Sequence, residues 1–368
     1  MNNAMKNTYQ ILIIMTALMV TACKENSRDE HQEALQKVFS ECIQSHLDNG
    51  LNVIAGMASL SRVGTPEKPV SVLLTWHSDK ERYEDYSYNA DRMPVFPSGI
   101  MQTATLAYYL DKGIIAVNDS VITNHGILPE MEDVAGYQRY DPHILDYERE
   151  TGQDRMSIHD GFLKSLRYVT DRYVLDNMDA AYYYNNMFIG FTDQLIDYFG
   201  PSEAYYIPNY RYQGILKKPA LSIADGTGVL LSQWQMLNFY GSIANNGVNP
   251  RRNHGMKKRI VSEKTAKTIQ TLLRDNVLEG TGVLVKDCVI PVAGKTGNGV
   301  VEKGRIPGYG LLEEKGAIRS STFVGYFPAD APKYTMCVTY YYKDVFSYTL
   351  SSLTFKEIVN RLNQEGLL

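Results

Sequence analysis

From His31 to Asp48 the apolar residues Leu35, Val38, Phe39, Cys42 and Ile43 recur three and four positions apart, which predicts a helix with one apolar face. Farther on, the period changes. "NVIAGMASL" and "VSVLLTW" are short apolar runs, and the Gly and Pro of "SRVGTPEKP" between them mark a loop. The pair reads as an antiparallel hairpin with a long connection. From about Gly99 to Asn249 the pattern is mostly helical with polar insertions, and "PEMEDVAGYQRYDPHILDYERETGQD" is its most loop-like part. Near the end of this block Ser232 and Gln235 have the spacing of a capping box, with Leu231 and Met236 as its hydrophobic staple. Asn245-Asn246-Gly247 supplies the stop. The last third returns to strands in "VIPVAGKTG", "STFVGYF" and "KYTMCVTYYY", and Phe355, Ile358, Val359 and Leu362 form the stripe of a closing helix. This order predicts an α+β fold: an antiparallel sheet of about five strands flanked by helices, with an inserted helical lobe over about 99–249.

Composition narrows the chemistry. At 368 residues with 44% hydrophobic and 21% charged content, the chain can bury a substantial core. Its 37 basic and 41 acidic side chains leave a net charge of -4, and no basic run stands out, which argues against nucleic-acid binding. The four cysteines include no C-x-x-C pair, and the seven histidines are scattered without an H-x-x-x-H. No metal site and no cofactor are expected.

The first residues change the picture of where the chain works. Lys6 precedes the apolar run Ile11 to Val20, which is too short to span a bilayer and has the layout of an export signal. Val20-Thr21-Ala22-Cys23 resembles a bacterial lipobox, in which the Cys becomes the lipidated first residue. The expected organisation is a signal peptide at 1–22, a polar tether at 23–30 and one domain at 31–368. Such a chain would be exported and lipid-anchored through Cys23 to the bacterial cell envelope, on its periplasmic or surface face.

Three longer blocks carry a family resemblance. "VAGKTGNG" followed by "SSTFVGYFPADAPKYTMCVTYY" resembles the end of the transpeptidase domain of penicillin-binding proteins, with its Lys-Thr-Gly strand, Phe-Val-Gly-Phe strand and Pro-Ala-Asp-x-Pro-Lys-Tyr turn. "LSIADGTGVLLSQWQMLNFYGSIANNGV" is similar to the family's glycine turn and the helix after it. "NADRMPVFPSGIMQTATLAYYLDKG" resembles the segment that normally reads Glu-Pro-Gly-Ser-x-x-Lys and opens an Ala-rich helix. The order and rough spacing of the three agree with the family from about Leu51 onward.

The family's chemistry needs a serine nucleophile one helical turn before a lysine that takes its proton. Aligned without a gap, Gly99 stands at the serine and Gln102 at the lysine, so both groups are gone; Gln102 cannot act as a base. For the family's Ser-x-Asn element, the best match is Val169-Thr170-Asp171, with Val169 in the Ser place and Asp171 in the Asn place; a frame with Thr170 in the Ser role stays open. Lys295-Thr296-Gly297 matches the third element intact. The resemblance implies an edge strand on which Lys295 supplies positive potential, Thr296 helps hold a substrate carboxylate and Gly297 allows close backbone approach. Asn298 would present a backbone N–H to an oxyanion.

Three readings follow. The leading one is a catalytically inactive envelope lipoprotein of this fold, a pseudoenzyme that binds peptidoglycan stem peptides or a cell-wall protein partner. The second is an active D,D-transpeptidase, carboxypeptidase or β-lactamase-like enzyme whose nucleophile has shifted to Ser98. The third is a pure interaction lipoprotein whose groove is filled by tyrosine-rich segments such as "AYYYNNMF" and "YRYQG".

Overall fold

The computed structural model describes residues 29–47, 53–77, 82–90, 93–129, 141–177, 198–199, 221, 223–227, 229–250, 258–301, 318–343 and 347–368. The export signal, Cys23 and the two tyrosine-rich segments lie outside the described residues. The predicted strands assemble into one antiparallel sheet made of β1 (Val53–Arg62), β2 (Val70–His77), β3 (Arg82–Asp85), β4 (Ala293–Val301), β5 (Ile318–Phe327) and β6 (Tyr334–Lys343). Their spatial order is β4-β5-β6-β1-β2-β3, so chain start and chain end meet where β1 pairs with β6. The sheet therefore has six strands where the sequence predicts about five. The extra one, β3, reads Arg-Tyr-Glu-Asp; short, polar and half exposed, it has no apolar alternation to announce it, and it pairs onto β2 as an edge.

Both faces of the sheet are covered, and the strand period of two sorts the side chains between them. Ala55, Met57, Leu73, Val324, Tyr326, Cys337 and Tyr341 face one core. Ala58, Leu60, Val72, Leu74, Phe323, Phe327, Met336, Val338 and Tyr340 face the other. This second face is closed by the helix at 29–47 (α1), whose Leu35, Val38, Phe39, Cys42 and Ile43 are all buried as their spacing predicts. The closing helix completes that layer with Phe355, Ile358, Val359 and Leu362, each 0% exposed.

On the first face lie α2 (Met101–Asp111), α3 (Pro142–Thr151), α4 (Ile158–Leu163), α5 (Arg167–Asp176), α6 (Gln233–Ala244) and α7 (Glu263–Glu279); the closing helix is α8 (Leu350–Gln364). Helix α2 is buried from Met101 to Tyr109, on every side, so it is the central pillar of the lobe. Helix α6 starts on the predicted capping box, Gln235 N–H donating to Ser232 Oγ and Ser232 N–H to Gln235 Oε1. It ends at Asn246 and Gly247, both with positive φ. Helix α3 was not expected: it lies inside the stretch that reads as loop. Its signals are local ones, since Asp141 accepts from His143 N–H, Pro142 takes the first turn and Gly152 stops the helix at φ 69°.

Candidate active site

The start of α2 is held between two glycine contacts. Gly226, at φ 79°, brings its backbone against Ser98: Ser98 N–H donates to Gly226 O at 3.2 Å, and a Cβ on residue 226 would lie 2.5 Å from Ser98 O. On the other side β4 runs so close that a Cβ on Gly297 would stand 2.2 Å from Pro97 O. The close approach expected of Gly297 is therefore made to the chain's own helix start. Ser98 sits between these contacts at φ 43°.

A cavity of about 940 Å³ opens here. Ser98, Gly99 and Gln102 line it from the helix start, and Thr296, Gly297 and Asn298 line it from β4. Six residues that the sequence singles out thus meet in one place. Thr296 Oγ1 donates to Thr281 Oγ1 at 2.8 Å, which fixes its rotamer at the cavity wall. Asn298 Oδ1 is buried with no hydrogen-bond partner among the described residues.

Lys295 stands behind this wall, 0% exposed. Its Nζ donates to Ser165 Oγ at 2.7 Å and sits 5.2 Å from the centre of the Phe162 ring. No carboxylate pairs with it among the described residues. Burial alone therefore penalises the ammonium, and the amine is pushed down to about 7. The sequence reading of Lys295 as a source of positive potential facing the groove needs that correction: the group is buried behind a serine and half neutral near pH 7.

The serine that meets Lys295 is Ser165, four residues before the frame chosen from sequence. Val169 is a core residue instead, buried against Gly161, where an added Cβ would come within 2.5 Å of Val169 Cγ1. Thr170 is buried on the same helix. Asp171 is also buried and does not line the cavity; its Oδ2 is 3.7 Å from Arg167 Nε, and Arg167 Nε is 3.5 Å from Asp225 Oδ2. Ser165-Leu166-Arg167 is the segment in contact with the site, with Arg167 two residues after the serine. The signal for it was local. "KSLRY" places a Ser-x-polar step at the junction of α4 and α5, and Ser165 adopts φ 55° there. A non-glycine residue in that region costs about 1–3 kcal/mol, a strain more common at working sites than elsewhere.

Gly99 and Gln102 complete the cluster. A Cβ built on Gly99 would lie 2.5 Å from Ser165 Oγ, 3.0 Å from Thr296 O and 3.5 Å from Lys295 Nζ. The hydroxyl of Ser165 therefore fills the space that a side chain at residue 99 would claim. Gln102, 3% exposed, brackets the same serine: its Nε2 donates to Ser165 O at 3.5 Å and its Oε1 accepts from Ser165 Oγ at 3.4 Å. A neutral amide thus stands beside the hydroxyl, and the amine that reaches it comes from β4. The described residues hold no cluster of His, Cys, Asp or Glu able to bind a metal ion.

Comparison with known proteins places this geometry. The model of the penicillin binding protein transpeptidase domain matches residues 103–362. No curated protein sequence matches the chain. Among solved structures, the apo transpeptidase domain of penicillin-binding protein 3 from Burkholderia pseudomallei superposes with a TM-score of 0.65 at 19% identity, over 90% of this chain and 95% of that one. A peptidoglycan glycosyltransferase from Burkholderia ambifaria gives 0.64 at 16% identity, over 91% and 96%. The transpeptidase domain of a D,D-transpeptidase from Legionella pneumophila gives 0.60 at 14% identity, again over 91% and 96%. These identities speak for the fold alone. The family model, however, spans well over half of the sequence, from the residue after Gln102 through the Lys295 strand to the closing helix, and the chain belongs to the penicillin binding protein transpeptidase family.

Proposed function

We propose that this protein is a cell-envelope lipoprotein, anchored through Cys23, that binds peptidoglycan stem peptides in the cavity beside β4 and does not run the family's acyl-transfer cycle from helix α2. A cell-wall protein presenting a similar extended segment is the other ligand of this chemistry. The carrying observation is a double loss beside a retained wall. Gly99 has no side chain with which to attack and Gln102 is no base, yet Thr296, Gly297 and Asn298 still line an open cavity on β4. Strand β4 is the outer strand of the sheet and pairs with β5 on one side, so an extended peptide can add along its other edge. With respect to the residue 99 cycle the chain is a pseudoenzyme.

Calorimetric titration of the purified full chain with an acyl-D-alanyl-D-alanine peptide tests this. Saturable one-site binding is expected, weakened about five- to tenfold in Thr296→Val, the worth of one hydrogen bond. A folded protein that takes up no peptide at millimolar concentration would refute it.

The reading that uses Ser98 as a shifted nucleophile has less support. Ser98 lines the cavity, but Lys295 Nζ is hydrogen-bonded to Ser165, and Met101 stands three residues after Ser98 where a base would be needed.

A further inference from the structure

We propose that Ser165 is the acyl acceptor of this chain, its hydroxyl standing where a side chain at residue 99 would stand and Lys295 taking its proton. The inference rests on the groove reading above for where an acyl donor lies. Its own support is the order of groups at the cavity wall. Lys295 is wholly buried, Ser165 is in front of it and half-buried, and the cavity is in front of Ser165. A bound carbonyl thus meets the oxygen first, with the amine 2.7 Å behind it.

The separation of 2.7 Å between Lys295 Nζ and Ser165 Oγ is within reach for proton transfer. Serine–lysine pairs of this kind are one of the recurrent solutions to activating a hydroxyl. A lysine can serve as base only when it is neutral, and an amine buried without a carboxylate is neutral in a useful fraction near pH 7. The space left by Gly99 matters equally. Because a Cβ there would fall 2.5 Å from Ser165 Oγ, a larger residue 99 would displace the hydroxyl from its place. At the start of the helical run, Ser98, Ile100 and Met101 give their N–H groups to Gly226 O, Pro97 O and Ser98 O, which leaves the Gly99 N–H as the donor for a developing oxyanion.

The step balances within these groups. Ser165 Oγ attacks the carbonyl carbon of a lactam or a D-alanyl amide, and its proton passes to Lys295 Nζ. The carbon–nitrogen bond breaks, and the departing nitrogen takes a proton from the Lys295 ammonium. An ester on Ser165 and a neutral lysine remain.

The test is intact mass of the full chain after incubation with benzylpenicillin, followed by peptide mapping. One adduct per chain, mapped to Ser165, is expected. Ser165→Gly removes the hydroxyl at a backbone angle that glycine accepts, so it should fold and form no adduct. Lys295→Met keeps the volume of the buried stem and should slow labelling by about 10²- to 10⁴-fold. No adduct on a folded protein, an adduct mapped to Ser98 or elsewhere, or unchanged labelling in Lys295→Met would each overturn the proposal. Peptide titration separates this from the groove reading. Binding without acylation sinks only the role of Ser165, and acylation without peptide binding sinks only the stem-peptide ligand.

Discussion

Lys295 ties the chemistry of the site to the stability of the fold. Its folded-state pKa lies near 7 because of burial, well below that of an exposed lysine near 10.4. Between those values the unfolded chain holds a proton that the native chain has released, so raising the pH from about 7 toward 10 favours the native state. Below 7 both states are protonated and the cost of a buried ammonium is carried in full. The charged or titratable groups lining the adjoining cavity are Asp141, His143, Lys164, Arg167, Tyr168, Asp225 and Tyr348. Of these, Asp225 is itself held up by burial, against the opposing pull of Arg167. A direct comparison cancels them: Lys295→Met should be more stable than the native chain at pH 6.5, by a margin that shrinks steadily up to pH 9. Denaturant titrations at four pH values read that margin, and a margin independent of pH would mean that Lys295 is solvated or paired. Gly99→Ser belongs to the same scale. Its side chain meets Ser165 Oγ, and with Gln102 unchanged it gains no base. It should cost about 1–3 kcal/mol of stability, measured by thermal unfolding, and add no penicillin labelling at residue 99.

At the scale of elements, the backbone contact between β4 and the start of α2 defines the site. Gly297→Ala must push a Cβ to 2.2 Å from Pro97 O, and a backbone carbonyl gives way poorly. A loss of about 1–3 kcal/mol is expected. Gly241 is the contrast. It lies within α6 and an added Cβ would find only Thr335, 3.6 Å away, so Gly241→Ala should stabilise by about 0.5–1 kcal/mol through helix propensity. Urea midpoints of the two variants should move in opposite directions. What the sequence made legible follows the same division. Periodic elements could be read directly: the stripe of α1, the capping box of α6 and the long strands all carry their pattern on their own residues. Strand β3 and helix α3 could not, because β3 has no buried face and α3 is announced only by its end signals, Asp141-Pro142 and Gly152. The site divides likewise. Gly99, Gln102 and Lys295-Thr296-Gly297 stand in long matching blocks. Ser165 is a single residue at a junction between helices, and only the fold brings it to a strand 130 positions away.

For the whole molecule, the consequence lies in how the second face of the sheet is closed. Helix α1 precedes the family-matched span, yet it belongs to the core. Leu35, Val38, Phe39, Cys42, Ile43 and Leu47 are all at most 4% exposed, and they pack with α8 over β1 and β2. Each such side chain contributes about 1.5–3 kcal/mol on burial, so together they match the whole stability of an ordinary domain. Arg361 of α8 pins the pair by an ion pair with Glu41 at 2.7 Å and by its contact with Cys42 Sγ. Phe39→Ala should therefore cost about 3–5 kcal/mol, and a chain lacking residues 29–47 should fail to fold. That placement also bears on the proposed anchor. Cys23 stands six residues before Asp29 of α1, and six extended residues reach about 20 Å at most. A lipid on Cys23 would thus hold the whole transpeptidase fold against the membrane surface, within reach of peptides attached to or made at that surface. Cys23→Ala should move the protein from the membrane fraction to the soluble extract, while peptide binding and penicillin labelling of the purified chain stay unchanged, because the cavity is built from residues between Phe96 and Thr349. Retention of Cys23→Ala in the membrane fraction would show that something other than this lipid holds the protein there.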